Sequence, residues 1–584
     1  MLSISTYASA SGHWQVGEIP EGADAFVFAR AARKRGGVNV FVAQDDARAD
    51  AFNSAIAFFA PDIERLNFPS WDCLPYDRIS PSRNITARRA GTLNTLCALG
   101  GSACVIVITT INALAQKVPP RHVMNKAGLT LEQGKTINRE DLDDYFSFNG
   151  YTRASTVIEP GDYAIRGGVI DVFPPGFVNP IRLDFFGDEL ESLRSFDIDS
   201  QRSLNQHDKI KLAPVSEIFL NDVTIAHFRK AYTKEFGGGL SDDPVYAAVS
   251  QGIRYQGLEH WLPLLYPNLE TLFDYIPSSA LWAFDALCEQ AQSERKDLIT
   301  DYYEARAEHK EKTASYKALP PHNLYLMGAE YSAFTAQITA RHHSPFTLDS
   351  DASASVKAMN MGGKPARSFA TERQTEGVNI FKSVSQHLRE LANRGQKTIL
   401  ASWTQGSSER IGGVFADHNL VIGSIETSLD MERLAKGQIK RLVLPIVSGF
   451  TLSDLSILSE QDILGDRLVR RGRRNKGKNF IAEVSALQEN DLVIHIDHGL
   501  GRYIGLETLN VQNAPHDCLK IEYAGASILY LPVENIELLS RYGVGSENQV
   551  LDRLGGVAWQ SRKAKAKKRL KDMAGELIKI AAAR

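Results

Sequence analysis

Two short apolar runs, Val38–Ala43 and Cys104–Thr109, constrain the N-terminal part of this 584-residue chain more than any other feature. The first lies between two stretches of helical pattern, Ala23–Arg35 and Ala47–Phe59. The second is β-branched, is bounded by Gly100-Gly101, and is preceded by Leu93–Leu99. Short apolar strands separated by helices are what a parallel sheet covered on both faces requires. An α/β layer is therefore expected first.

The texture then changes. From Gly150 to Ser200 short strand patterns are punctuated by Gly161, Gly167, Gly168, Pro174, Pro175, Gly176 and Gly187, which predicts an inserted β-rich domain. The α/β pattern returns through Trp282, and residues 303–320 and 341–367, polar or rich in Ser, Ala, Gly and His, are expected to be connectors. A second α/β unit follows, with strands at Thr398–Ser402 and Arg441–Pro445. Between Arg467 and Lys478 lie seven basic residues and no acidic one, a pattern expected of a solvated linker. The length suggests roughly four domains.

Near the C-terminus, Leu492, Ile494 and Ile496 alternate with Val493, His495 and Asp497, and Leu519, Ile521 and Tyr523 with Lys520 and Glu522. Small residues at Gly499-Leu500-Gly501 and Ala524-Gly525-Ala526, and Pro532 after Ile528–Leu531, break the period-2 pattern. A small, strongly bent sheet or barrel is expected. Residues Gln560–Arg584 combine Arg562, Lys563, Lys565, Lys567, Lys568, Arg569 and Lys571 with a stripe of Leu570, Met573, Leu577 and Ile580. That is a basic helix whose apolar stripe needs a partner surface, and the chain is expected to be a truncated protein.

Composition narrows the function classes. A net charge of −3 at 43% hydrophobic content excludes a chain that coats nucleic acid by bulk charge. The five cysteines, Cys73, Cys97, Cys104, Cys288 and Cys518, are scattered and odd in number, which fits neither a disulfide framework nor a zinc site. No signal peptide and no membrane-length apolar run are present, so a cytoplasmic protein with no membrane partner is expected. His495 and His498, three apart on a strand, would point to opposite faces, so no metal is expected there.

A nucleotide motor needs loop amides, a lysine and a Ser/Thr hydroxyl around the phosphates. Pro20–Asp24, before the first helix, supplies no lysine. The Gly134-Lys135-Thr136 triplet lies five residues beyond Gly128 rather than four and follows no clear strand, so it is expected to be coincidental. Neither ATP nor magnesium is expected on this chain, and it is not expected to be an enzyme.

Several stretches carry a resemblance. His495–Tyr503 with Leu529–Val533 and Arg541-Tyr542 resembles the polymerase-interacting module of CarD-type regulators and Mfd-type transcription-repair coupling factors. Phe68–Asp72 with Leu74–Arg78, Gly257–His260 with Phe273–Pro277, and Leu464–Arg467 are similar to the same coupling factors in the same order, so the resemblance spans the chain. It implies an α/β multidomain protein: a UvrB-like α/β domain in two parts (1–120 and 213–345) around a β-rich UvrA-binding insert (121–212). A small α/β domain (368–460), a basic linker (461–485), a CarD/Tudor-like small β-barrel (486–555) and a basic helix (556–584) follow.

The implied partners are UvrA and the RNA polymerase β subunit, with duplex DNA upstream of a stalled polymerase bound weakly or not at all without the family's ATP-driven translocase. In the family that motor lies beyond the basic helix, so the UvrA site is expected to stand open here and polymerase displacement to be absent. Carried over by position, Arg166, Arg182 and Phe186 would bind UvrA, with Arg153 and Asp184 as weaker candidates. Leu509 would contact the polymerase, and Lys563, Lys567 and Arg569 would touch DNA or the motor. On the residues alone, Arg182 and Asp184 are same-face neighbours on one strand that would form an exposed ion pair. The rival expectations are a helicase-like enzyme using the UvrB-like layer directly, discriminated by an ATPase assay, and a nonfunctional fragment.

Overall fold

The computed structural model describes residues 2–76, 79–100, 103–198, 200–237, 243–308, 317–348, 357–375, 377–465, 492–495, 498–511, 514–532, 539–541 and 551–554. They fall into two compact units divided near residue 469. The expected basic helix at 556–584, with Lys563, Lys567 and Arg569, and most of the expected basic linker lie outside the described residues.

The first unit is built on a seven-stranded sheet in the order Lys357–Asn360, His13–Gly17, Thr339–His343, Leu281–Phe284, Val38–Ala43, Val105–Thr110, Glu64–Phe68. Every pairing is parallel. The two runs read from sequence are adjacent strands, fifth and sixth in that order, buried at every position, as strands covered on both faces must be.

The helix Ala23–Arg35 is buried at nine of its thirteen residues. A helix that apolar on all sides needs two surfaces to cover it, and here Phe26, Phe28, Phe41 and Phe52 share one core with Ile399, Leu442, Phe450 and Ile457 of a second sheet. That sheet runs Lys364–Pro365, Phe450–Thr451, Leu455–Ser459, Lys397–Ser402, Ile439–Val443, Gly423–Ser424. The segment 341–367 differs from the expected free connector, because it gives one edge strand, Lys357–Asn360, to the first sheet and another, Lys364–Pro365, to the second. The two α/β layers are consequently packed as one body.

The β-rich insert is a six-stranded sheet in the order Ser203–His207, Glu189–Phe196, Ile181–Phe186, Val169–Val172, Asp162–Arg166, Thr152–Arg153. It is antiparallel except for the last pair. Leu142 and Phe146 of the helix Arg139–Phe148 cover its inner face. Where the chain enters and leaves, Leu129–Glu132 and Lys209–Leu212 pair antiparallel.

A buried ion pair clamps the exit. Arg89 donates to both oxygens of Glu217 at 2.8 and 3.1 Å, and Trp71 Nε1 donates to the same carboxylate at 3.3 Å. Arg89 also donates to Gln116 and to the Pro69 carbonyl and lies over the Phe68 ring. The Phe68–Asp72 motif thus supplies core and turn, with Phe68 and Trp71 buried.

The second unit is a five-stranded antiparallel sheet in the order Ser527–Pro532, Ala514–Tyr523, Gly499–Val511, Leu492–His495, Leu539–Arg541. Val493, Tyr503, Leu519, Ile521, Tyr523, Leu531 and Leu539 form its core. Gly501 permits the close crossing of strands, since a Cβ there would lie 2.6 Å from Ile521 Cγ2. The chain is therefore a multidomain α/β protein with separate parallel and antiparallel sheets. No helix among the described residues is long and apolar enough to cross a membrane.

Candidate functional site

The insert sheet presents one face to its main core; on the other, Ala164 is buried with Val157 and Phe173 in a small second cluster and Asp171 is buried beside it, while the strands beyond carry more exposed polar residues. Along Ile181–Phe186 burial alternates, with Ile181, Leu183 and Phe185 in the core and Arg182, Asp184 and Phe186 opposite. Directly paired residues of an antiparallel sheet share a face. Register therefore assembles two rows across the outer face: Ala164, Asp171, Arg182 and Arg194, and Arg166, Val169, Asp184 and Ser192.

Arg182 is not paired with Asp184, contrary to expectation. Its Nε and Nη2 donate to the two oxygens of Asp171 at 2.7 and 2.9 Å, and its guanidinium lies over Phe196. Asp184 instead accepts from Ser192 and from Arg194 Nε and Nη2. Residues two apart on a strand stand nearly 7 Å apart, whereas cross-strand neighbours have Cβ atoms about 5 Å apart, so the cross-strand partner wins. The Asp171 carboxylate, as a hydrogen-bond acceptor, raises the Arg182 pKa above its ordinary value.

Phe186 is 76% exposed at the hairpin end of this face. Arg166 is exposed at the end of its strand, where Nη2 donates to the Ser155 carbonyl and Thr156 Oγ1. Arg153 lies on the edge strand and pairs with Asp143 at 3.5 Å. The fold thus brings Arg166, Arg182, Asp184 and Phe186 onto one face, with Arg153 at its margin. Arg194 and Asp171 belong to the same array and were missed from sequence.

In the second unit, Gly499–Val511 and Ala514–Tyr523 form a long hairpin in which Leu509 pairs with His516. The flanking strands pair only with Gly499–Arg502 and Cys518–Tyr523. Among the described residues Thr508–Val511 and Ala514–Asp517 thus pair only with each other, as a two-stranded arm on which Leu509 lies. The rings of His495 and His498 stack with centroids 4.6 Å apart instead of facing apart.

Two places recommended by nucleotide chemistry are already bonded internally. Gly134-Lys135-Thr136 does follow a strand, Leu129–Glu132, but it forms a turn in which the Gly134 and Lys135 amides donate to the Leu190 and Glu132 carbonyls. Before the helix Ala23–Arg35, the Gly22 and Ala25 amides donate to Asp24 Oδ1 at 2.9 and 2.7 Å. Asp24 in turn is ion-paired to Arg48, which also reaches Asp285.

Residues 129–218 match the UvrB interaction domain family, and residues 487–543 match the CarD-like/TRCF RID domain family. The first match runs from the entry strand through the whole outward face, and the second spans the five-stranded sheet. A transcription-repair-coupling factor of Rickettsia bellii is 32% identical over 547 residues, which is 93% of this chain and 47% of the relative. The Escherichia coli factor is 30% identical over 586 residues, 97% of this chain and 48% of its own length.

The chain is similar over nearly its whole length to transcription-repair-coupling factors. It spans about half the length of the curated relatives it matches; for the Bacillus subtilis factor, 27% identical, the share is 42%. Arg153, Arg166, Arg182, Asp184 and Phe186 all fall in the UvrB interaction domain, and Leu509 falls in the CarD-like domain.

Proposed function

We propose that this chain is an adaptor in transcription-coupled nucleotide excision repair, binding the β subunit of RNA polymerase stalled at a lesion and recruiting UvrA. The observation that carries the proposal is the presence, in one chain, of a match to the UvrB interaction domain and a match to the CarD-like domain. Arginines beside an exposed aromatic ring are strong interface anchors, because the guanidinium fork bonds carboxylates and backbone while the ring fills a pocket. On that basis Arg166, Arg182 and Phe186 form the UvrA contact, with Arg153 at its rim.

For the polymerase, a strand with an unpaired backbone edge can extend a partner's sheet, with a few side chains setting specificity. Leu509 on the arm is the proposed specificity contact, and the five-stranded sheet the CarD-like barrel. The adaptor role needs no nucleotide on this chain, a view supported by the loop amides already bonded at Asp24 and at Gly134–Lys135. Contact of Lys563, Lys567 and Arg569 with duplex DNA belongs to the same proposal, and is tested by DNA binding of their alanine variants.

The experiment is a pull-down of the purified chain against UvrA and the polymerase β subunit, with Arg166→Ala, Arg182→Ala and Leu509→Arg alongside. Selective loss of UvrA with the two arginines, and of polymerase with Leu509, is expected. Binding of neither partner by folded protein would refute the adaptor.

A further inference from the structure

We infer that Arg194 is a further contact arginine of the insert's outer face, and that Asp171 and Asp184 are positioning residues that fix two guanidiniums for the carboxylates of a protein partner. The inference rests on the UvrA-docking proposal and extends the set of residues that carry it.

Arg194 stands directly opposite Arg182, yet its side chain is 41% exposed against 21% for Arg182. Its Nε and Nη2 converge on Asp184 Oδ2 at 3.2 and 2.5 Å, and Ser192 donates to the same oxygen. Arg182 is held by Asp171 through a two-oxygen fork, Nε on one oxygen and Nη2 on the other. Arg194 is engaged on one side only, whereas Arg182 Nη2 also donates to Gln201 Oε1 at 3.3 Å; among the described residues neither Nη1 has a hydrogen-bond partner. A planar fork held by one carboxylate loses little further freedom when its free edge meets a second acceptor, so the face is preorganised for carboxylate or carbonyl oxygens.

The dimensions suit a hot-spot cluster. Arg182 and Phe186, four residues apart, are separated by about 13 Å along the strand, and Arg166 and Ser192, three strands apart, by about 14 Å across the sheet. That patch fits within the roughly 800 Å² that one partner contributes to a standard interface. Three arginines against two aspartates leave a single net positive charge, and the fixed carboxylates would repel a phosphate backbone. The face therefore suits a protein with acidic side chains around an apolar pocket, not a nucleic acid.

The test measures UvrA affinity of the whole chain and of Arg166→Ala, Arg182→Ala, Arg194→Ala, Arg194→Lys, Asp184→Asn and Arg194→Ala/Asp184→Asn, with thermal melts in parallel. Arg194→Ala should weaken binding about tenfold or more, and Arg194→Lys should not restore it, because a lysine keeps the charge without the fork. Asp184→Asn should weaken binding about fivefold, and the double variant should bind like Arg194→Ala alone, since Asp184 acts through Arg194. A merely structural Asp184 would lower the melting temperature and leave affinity unchanged. Full affinity in Arg194→Ala, with binding lost in Arg166→Ala and Arg182→Ala, overturns this inference and leaves the UvrA-docking proposal standing. No binding by the unaltered chain overturns both. Retention of a single-stranded oligonucleotide that the arginine variants lose would assign the face to nucleic acid and overturn the inference.

Discussion

Replacing Glu217 with alanine should loosen the junction between insert and parallel sheet more than any surface change. The Arg89 and Glu217 side chains are 0% and 2% exposed, and the carboxylate accepts two bonds from Arg89 and one from Trp71. Removing it strands a buried guanidinium, which costs about 3–5 kcal/mol, and leaves the indole N–H without its acceptor. Against a typical domain stability of about 5–15 kcal/mol, that is a large fraction. With a urea dependence of about 2–3 kcal/mol per molar, the midpoint should fall by about 1–2 M. Tryptophan fluorescence is the assay, since Trp71 lies in the affected core. The double variant Arg89→Met/Glu217→Leu should regain most of the loss, because two apolar groups need no compensation for lost hydration. A loss below about 1 kcal/mol in the single variant, or a double variant no more stable than the single, would refute the reasoning.

Phe186→Ala should leave stability within about 0.5 kcal/mol, because the ring is mostly in solvent, while weakening UvrA binding about thirtyfold; a lowered melting temperature with unchanged affinity would contradict this. Burial holds the imidazoles of His260, His342 and His343 down at about 4. The unfolded chain therefore takes up protons that the folded one refuses between pH 6.5 and pH 4, and stability should fall as pH drops through that window. Asp285, pushed up to about 6 by burial, opposes them over much of the same range but is outnumbered; urea midpoints that rise from about pH 7 to about pH 5 would contradict the assignment. Gly501→Ala would force a Cβ against Ile521 and the Tyr523 ring and should cost the second unit about 1–3 kcal/mol, seen as faster tryptic cleavage within 492–541 while the first unit keeps its resistance.

What could be read in advance was whatever depended on local pattern. The helix Ala23–Arg35, the strand Val38–Ala43 and the shared face of Arg182 and Asp184 follow from periodicity alone, whereas Phe186 entered through the family resemblance. Thr339–His343 did not show itself as a strand, because Arg341 is wholly buried and spends its guanidinium on the Tyr7, Ala10, Gly12 and Ala340 carbonyls, which no apolar pattern signals. Arg194 was hidden by a bulge. Counting back from the turn after Phe186 would pair Arg194 with Ile181 and send it into the core, but the register shift between Leu190 and Ser192 turns it outward beside Arg182. The sandwiching of Ala23–Arg35 between two sheets was foreshadowed only by its apolar far side.

The central claim, that one chain carries two independent docking surfaces, is tested most directly by sequential binding. Polymerase is immobilised, the chain is loaded, and UvrA is then added to the washed complex. The account expects UvrA to bind on top of the chain, to be lost with Arg182→Ala while the chain stays on polymerase, and the chain itself to be lost with Leu509→Arg. UvrA that displaces the chain from polymerase, or that binds the Arg182→Ala complex equally well, would contradict it.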